Sequence, residues 1–205
     1  MRYLKIYSDF HINEEWSKND PIPELNEDKL AIILMGTPGL GKSYFNKNYI
    51  QPRQEIKTFS TDDVSLMFTK DPNKYYPASS ELNVKRLLTF METNQSFIYD
   101  TTGTHPDQVF RLVQKAKKQK YKVLFIHLVG TLEMSLKQNQ MRDRQADPEY
   151  IEFSYKTQFP NMRTYFNQLK PDAYYVVYNK EGKYKFYKFS DNKLLKRKVD
   201  KYVKL

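Results

Sequence analysis

Apolar positions in this chain form short unbroken runs that alternate with helical stripes. Leu30 to Met35, Ile56 to Phe59, Phe97 to Tyr99 and Val123 to Val129 are brief apolar or β-prone runs, each stopped by a turn or cap signal, and they predict buried parallel strands. Helical patterns lie between them: Lys42 to Tyr49, closed by Pro52; Asp63 to Phe68; Glu81 to Glu92; and Pro106 to Lys118. In the last of these, Val109, Leu112, Val113 and Ala116 recur at the three- and four-residue spacing of one packed face. Strands alternating with helices predict an α/β fold, with a mainly parallel sheet covered on both sides. Leu132 to Arg142 and Pro148 to Leu169 continue as helices, Asp147 and Pro148 supplying an N-cap and a first-turn proline. The period then changes. Tyr174 to Tyr178 and Tyr184 to Phe189 flank a polar loop containing Gly182, which predicts a β-hairpin.

A chain of 205 residues is long enough for one sizeable domain. The seam at Asn19-Asp20-Pro21-Ile22-Pro23 suggests a division into an N-terminal segment (1–28, a candidate extra strand), a core (29–170) and a C-terminal hairpin and tail (171–205) packed on it. No apolar run approaches the length of a bilayer span, and acidic Asp9 interrupts the N-terminus before a signal sequence could form. With no cysteine, disulfide and thiolate chemistry are excluded and the cytoplasm is the expected compartment. Net charge is +10 and uneven: residues 170–205 hold 11 Lys and Arg against 4 Asp and Glu. That excess fits either a polyanionic partner such as nucleic acid or a solvated lysine-rich surface.

Gly36-Thr37-Pro38-Gly39-Leu40-Gly41-Lys42-Ser43 has the spacing of a phosphate-binding loop, and it lies between a predicted strand and a predicted helix. Glycines let backbone N–H groups curl around phosphate oxygens and the helix N-terminus adds positive potential. Lys42 then reaches the β- and γ-phosphates, and the Ser43 hydroxyl ligates Mg²⁺. The expected ligand is a nucleoside triphosphate.

Phosphoryl transfer needs a carboxylate to orient or deprotonate an acceptor hydroxyl, and cations over the transferring group. Thr61-Asp62-Asp63 follows the second strand, at the sheet edge that carries the phosphate loop, and Asp62 is the preferred base. Thr61 or Asp63 could equally be an ordinary helix N-cap. Asp100, closing the third strand, can hold a Mg²⁺-bound water or position a basic residue, or simply form a turn. Arg142 and Arg144, after the fourth strand, suit a lid around 136–147 that closes over the phosphates, although arginines near a helix C-terminus also favour its dipole.

The order of Gly36 to Ser43, Thr61-Asp62-Asp63, Asp100-Thr101-Thr102, Asn139-Gln140-Met141-Arg142 and the helix opening at Asp147-Pro148 resembles the phage polynucleotide 5′-kinases and zeta-toxin-like P-loop kinases. The resemblance covers roughly residues 30 to 170. It implies a P-loop NTPase fold with an Arg-bearing lid and an ATP- and Mg²⁺-dependent kinase in which Asp62 activates the acceptor hydroxyl while Lys42 and Arg142 stabilise the phosphoryl group. Two positions depart from it. Ser65 stands where polynucleotide kinases carry an arginine three residues after the catalytic aspartate, and Gln138 stands where the lid has its first arginine, a loss that Arg144 can offset.

The leading expectation is a kinase acting on a nucleic-acid hydroxyl, DNA or RNA, most simply a 5′-OH. The alternatives are a phage-type kinase of 5-hydroxymethyluracil in DNA, a kinase of a nucleotide or nucleotide sugar, and a nucleotide-regulated nucleic-acid-binding module. The lysines of the hairpin and of Lys193 to Lys204, interleaved with Tyr184, Phe186 and Tyr187, suit a single-stranded nucleic-acid groove. Asp9-Phe10-His11 looks like a metallophosphoesterase motif, but the chain offers only His105 and His127 as further histidine ligands, so it reads as a remnant or coincidence. His127 is expected in the core, and His105 in a loop after Asp100.

Overall fold

The structure is a computed structural model that describes residues 22–68, 76–142, 144–180 and 183–189. Asp9, His11 and the basic tail from Lys193 lie outside the described residues. Among the described residues a six-stranded sheet runs in the order β2-β3-β1-β4-β5-β6. Strand β1 (Leu30–Met35) is central, between β3 (Phe97–Thr101) and β4 (Lys122–Val129), with β2 (Lys57–Ser60) outside β3 and β5 (Ala173–Lys180) outside β4. These five are parallel, and β6 (Lys183–Phe189) closes the edge as the antiparallel arm of the expected hairpin.

All six residues of β1 are buried, because helices cover both faces. Ala31, Ile33 and Met35 join one core cluster, and Leu30, Ile32 and Leu34 join the other. On the first face α3 (Tyr76–Phe90), α4 (Pro106–Lys118) and α6 (Pro148–Leu169) supply Val84, Val109, Leu112 and Tyr165. On the second, α1 (Lys42–Phe45) supplies Phe45 and a 3₁₀ turn (Pro23–Asn26) supplies Leu25. Each such aliphatic side chain contributes about 1.5–3 kcal/mol by burial. The turn is also tied down by Glu24, which accepts hydrogen bonds from Tyr175 and Lys188. Burial opposes ionisation of Glu24, yet these two donors hold its carboxyl below the usual range.

Several element boundaries differ from the sequence reading, each for a local reason. The helix after the phosphate loop is α only over Lys42–Phe45 and then widens into a π turn, Asn46–Ile50, where the Gln51 N–H donates to the Asn46 carbonyl and the Asn46 amide reaches Thr58 at 2.9 Å. Helix α2 (Thr61–Leu66) starts earlier than expected, because the Ser60 hydroxyl caps it by accepting from the Asp62 N–H at 3.1 Å. Neither Thr61 nor Asp63 is therefore the cap. Strand β3 runs two residues further and takes Asp100 into the sheet, while α5 (Leu132–Gln140) stops short of Arg142 and leaves it in a loop. Among the described residues no helix is long and apolar enough to cross a membrane.

Candidate active site

The chain turns from β1 into α1 through the phosphate loop. Gly39 and Gly41 sit at φ +83° and +84°, a left-handed region that side chains rarely adopt. A Cβ on Gly39 would stand 2.3 Å from the Ser135 carbonyl oxygen, so α5 presses directly against the loop. Ser135 donates its hydroxyl to the Pro38 carbonyl, and the Asn179 amide of β5 donates to the Leu40 carbonyl at 3.0 Å. The loop is thus held from behind by two elements. Thr37 and Leu40 are buried, Leu40 within the core cluster beneath the loop, and their side chains do not line the cleft.

In front of the loop lies a cleft of about 480 Å³. Lys42 and Ser43 line it together with Asp62, Asp100, Arg142 and Arg144, so the candidate catalytic and metal residues border one space, as do Pro38, Gly39 and Gly41 of the loop but not Gly36. Sheet register explains part of this convergence: Leu34, Asp100 and Ser60 are paired across β1, β3 and β2, and Asp62 follows two residues beyond that row. Asp63 does not line the cleft; it is exposed at the surface, yet partial desolvation, aided by the charge of Asp62, raises its carboxyl above the usual range.

Lys42 donates its ammonium to the Gly36 carbonyl at 2.7 Å and lies 3.9 Å from an oxygen of Asp100. Burial lowers the Lys42 pKa against the pull of Asp100 and Asp62. Burial also pushes the Asp100 carboxyl up to about 6, outweighing the nearby ammonium. Both charges sit at the cleft floor with less solvation than they would have in water, an arrangement that strengthens their interaction with any added phosphate or cation.

Arg144 is ion-paired with Asp62 across the cleft. Its loop is closed by Asn139, whose side-chain amide donates to the Ala146 carbonyl at 2.8 Å and whose oxygen accepts from the Ala146 N–H at 2.9 Å. Gln138, in place of a first lid arginine, also lines the cleft. Where α6 begins, Thr102 meets the Tyr150 hydroxyl at 3.0 Å and Thr104 at 2.9 Å. Ser65 is fully buried and does not line the cleft, its hydroxyl without a partner among the described residues. His105 is exposed at the start of α4 and outside the cleft. His127 is buried with Nδ1 at 3.2 Å from the Tyr174 hydroxyl, and burial lowers its pKa to about 4.

Sequence reasoning did not single out Tyr150 or Ser135, and it took Asn139 only as the first residue of the Asn139-Gln140-Met141-Arg142 lid motif, without its bonds to Ala146. Tyr150 lies in the first turn of α6, and the Asp147-Pro148 start signal could have placed it at the mouth of the lid. Ser135 and Asn139 are four residues apart on one face of α5, a spacing that marks a face but not its partners.

Phosphate loop on β1, carboxylates at the ends of β2 and β3 and an arginine lid after β4 follow one another in the order of a P-loop kinase, and the protein is of that class. It belongs to the AAA domain family, whose profile matches residues 32–166. No curated protein matches it. Among solved structures it is similar to one of the PezAT chromosomal toxin–antitoxin system of Streptococcus pneumoniae, at TM-score 0.59 and 15% identity over 96% of this chain and 84% of that one. It is also similar to AvrRxo1-ORF1:-ORF2 with ATP, at TM-score 0.61 and 14% identity, covering 83% of this chain and 63% of that one. The third is the Pnkp1/Rnl/Hen1 RNA repair complex, at TM-score 0.54 and 16% identity, covering 67% and 46%. At these identities the likeness is one of fold.

Proposed function

We propose that the protein transfers the γ-phosphate of ATP to a hydroxyl of a nucleic acid, most simply a polynucleotide 5′-OH. The observation that carries this reading is that Asp62 faces the same cleft as Lys42 and the phosphate loop, on the β2–β3 side where an acceptor can enter. The Asp62 carboxylate takes the proton of the acceptor hydroxyl as its oxygen bonds to the γ-phosphorus, and the bond to the bridging oxygen breaks to release ADP. Lys42 and the two lid arginines neutralise charge on the transferring group, which requires Arg144 to exchange its ion pair with Asp62 for the phosphoryl oxygens.

Ser43 and Asp100 present a hydroxyl and a carboxylate oxygen beside Lys42, a hard oxygen set that suits Mg²⁺. Among the described residues no group of three His, Cys, Asp or Glu could hold a metal, so the nucleotide phosphates would complete the shell. Bound there, the ion supplies charge neutralisation at the phosphates.

Lys180, Lys183 and Lys185 of the hairpin are exposed, whereas Lys188 is engaged by Glu24, so part of the positive edge is available to a polyanion. A second reading keeps the chemistry and moves the hydroxyl to 5-hydroxymethyluracil within DNA. The buried serine at position 65 favours it, because it offers no cationic side chain to grip a terminal 3′-phosphate. Transfer from γ-³²P-ATP with Mg²⁺ to 5′-OH DNA and RNA, to duplex DNA with and without 5-hydroxymethyluracil, and to free nucleosides and nucleotides tests both. Label on an end supports the first reading and label on the modified base the second. Label only on small acceptors, or on none, overturns both. Lys42→Ala and Asp62→Asn are each expected to lower transfer at least about 100-fold.

A further inference from the structure

With Asp62 and Asp100 marking the acceptor side as proposed above, the sheet order sets which way a triphosphate lies. Asp100 and Asp62 stand on the β3 and β2 side of the phosphate loop, so a nucleotide with its γ-phosphate toward them carries its nucleoside over the opposite side, toward β5 and β6. Tyr44 is there, one residue after Ser43 in the first turn of α1, and 59% exposed. Its ring is stacked on Tyr184 of β6, with centroids 6.3 Å apart and planes 21° from parallel. Tyr184 is anchored in turn by edge contacts to Phe45 and Tyr49 at 5.4 and 5.3 Å. Its hydroxyl lies 3.0 Å from where a Cβ on Gly41 would be, so the hairpin touches the phosphate loop itself. The Asn179 bond to Leu40 fixes the same hairpin to the loop a second time.

The geometry points to the Tyr44–Tyr184 pair as the nucleobase platform of the donor site, taking the base of a purine nucleoside triphosphate on the exposed face of Tyr44. This rests on the reading of Gly36 to Ser43 as a triphosphate loop, and it assigns the C-terminal hairpin a role on the donor side as well as at the basic edge. An exposed tyrosine face held by a second, well-packed ring loses little freedom when a base stacks on it. Stacking strength grows with ring area, so the platform favours purines over pyrimidines.

Calorimetric titration of the full chain with ATP, UTP and inorganic tripolyphosphate tests this without reading kinase activity. In the wild type, ATP is expected to bind at least about five-fold more tightly than UTP. Tyr44→Ala is expected to weaken ATP about ten-fold, to leave tripolyphosphate within about two-fold and to erase the difference between ATP and UTP, while Tyr44→Trp retains tight ATP binding. Equal wild-type affinities for ATP and UTP overturn the inference without any variant. Equal losses of ATP and tripolyphosphate in Tyr44→Ala, or no loss of either, overturn it as well. If no wild-type ligand binds, the triphosphate loop reading falls too. Normal binding with no transfer to any acceptor overturns the function proposed above and leaves the platform standing.

Discussion

Arg144, carried by the loop after α5, forms an ion pair with Asp62 at the start of α2, so the lid and the end of β2 meet across the cleft. The side chains are 25% and 43% exposed, and pairs of that kind contribute at most about 1 kcal/mol to stability. The value of the contact is positional: under the proposed function, the cation assigned to the phosphoryl group instead occupies the carboxylate assigned as the base.

Asp62→Asn is therefore expected to leave the thermal midpoint within about 2 °C while transfer falls at least about 100-fold. Arg144→Ala is expected to cost about ten-fold or more in kcat with a similarly small change in midpoint. Steady-state kinetics beside thermal melts check both. A rate within a few-fold of wild type for Asp62→Asn would sink its assignment as the base.

Desolvation in the cleft pushes the Asp100 carboxyl up to about 6, so its charged form gains over the neutral one only as pH rises through that value. Below it, Lys42 loses its counter-charge and the proposed divalent-ion site its carboxylate. We expect kcat/KM to rise between about pH 5 and 7 and then flatten, approaching ten-fold per unit on the acid limb. In Asp100→Asn the residual activity should lose this limb, measured as a pH profile at saturating Mg²⁺.

Gly39→Ala is expected to be severe. A left-handed conformation costs a non-glycine residue about 1–2 kcal/mol, and here the new Cβ also meets the Ser135 carbonyl oxygen at 2.3 Å. The predicted destabilisation is about 2 kcal/mol or more, read by urea unfolding, with at least about ten-fold weaker ATP binding as the loop shifts.

Asn139→Ala removes both bonds that close the lid loop on Ala146. At about 1 kcal/mol for each bond, stability should fall by about 2 kcal/mol. Because the arginines lose their support, kcat should drop about ten-fold while tripolyphosphate affinity is retained, measured by turnover and calorimetry.

The parallel sheet, the phosphate loop and the hairpin were legible in the sequence because each rests on local signals: continuous apolar runs, glycine spacing before a lysine, and two aromatic strands around a polar turn. Asp62, Asp100, Arg142 and Arg144 could be singled out because strand ends in a parallel sheet share one edge, so order along the chain already implies proximity. What the sequence left open depended on which of several local caps forms and on contacts between distant segments. Asp62 rather than Asp63 faces the cleft because Ser60, not the aspartate, caps α2 and sets the rotation of its first turn. Arg144 meets Asp62 because α5 ends two residues early and Asn139 folds the following loop back on itself. The perturbed Lys42 and Asp100 are consequences of burial, a property of packing density around a point in space that no spacing of residues along the chain encodes. Only the tertiary structure brings Tyr44 and Tyr184, 140 positions apart, into one stack, since that contact exists only once β6 is laid against the edge of the sheet.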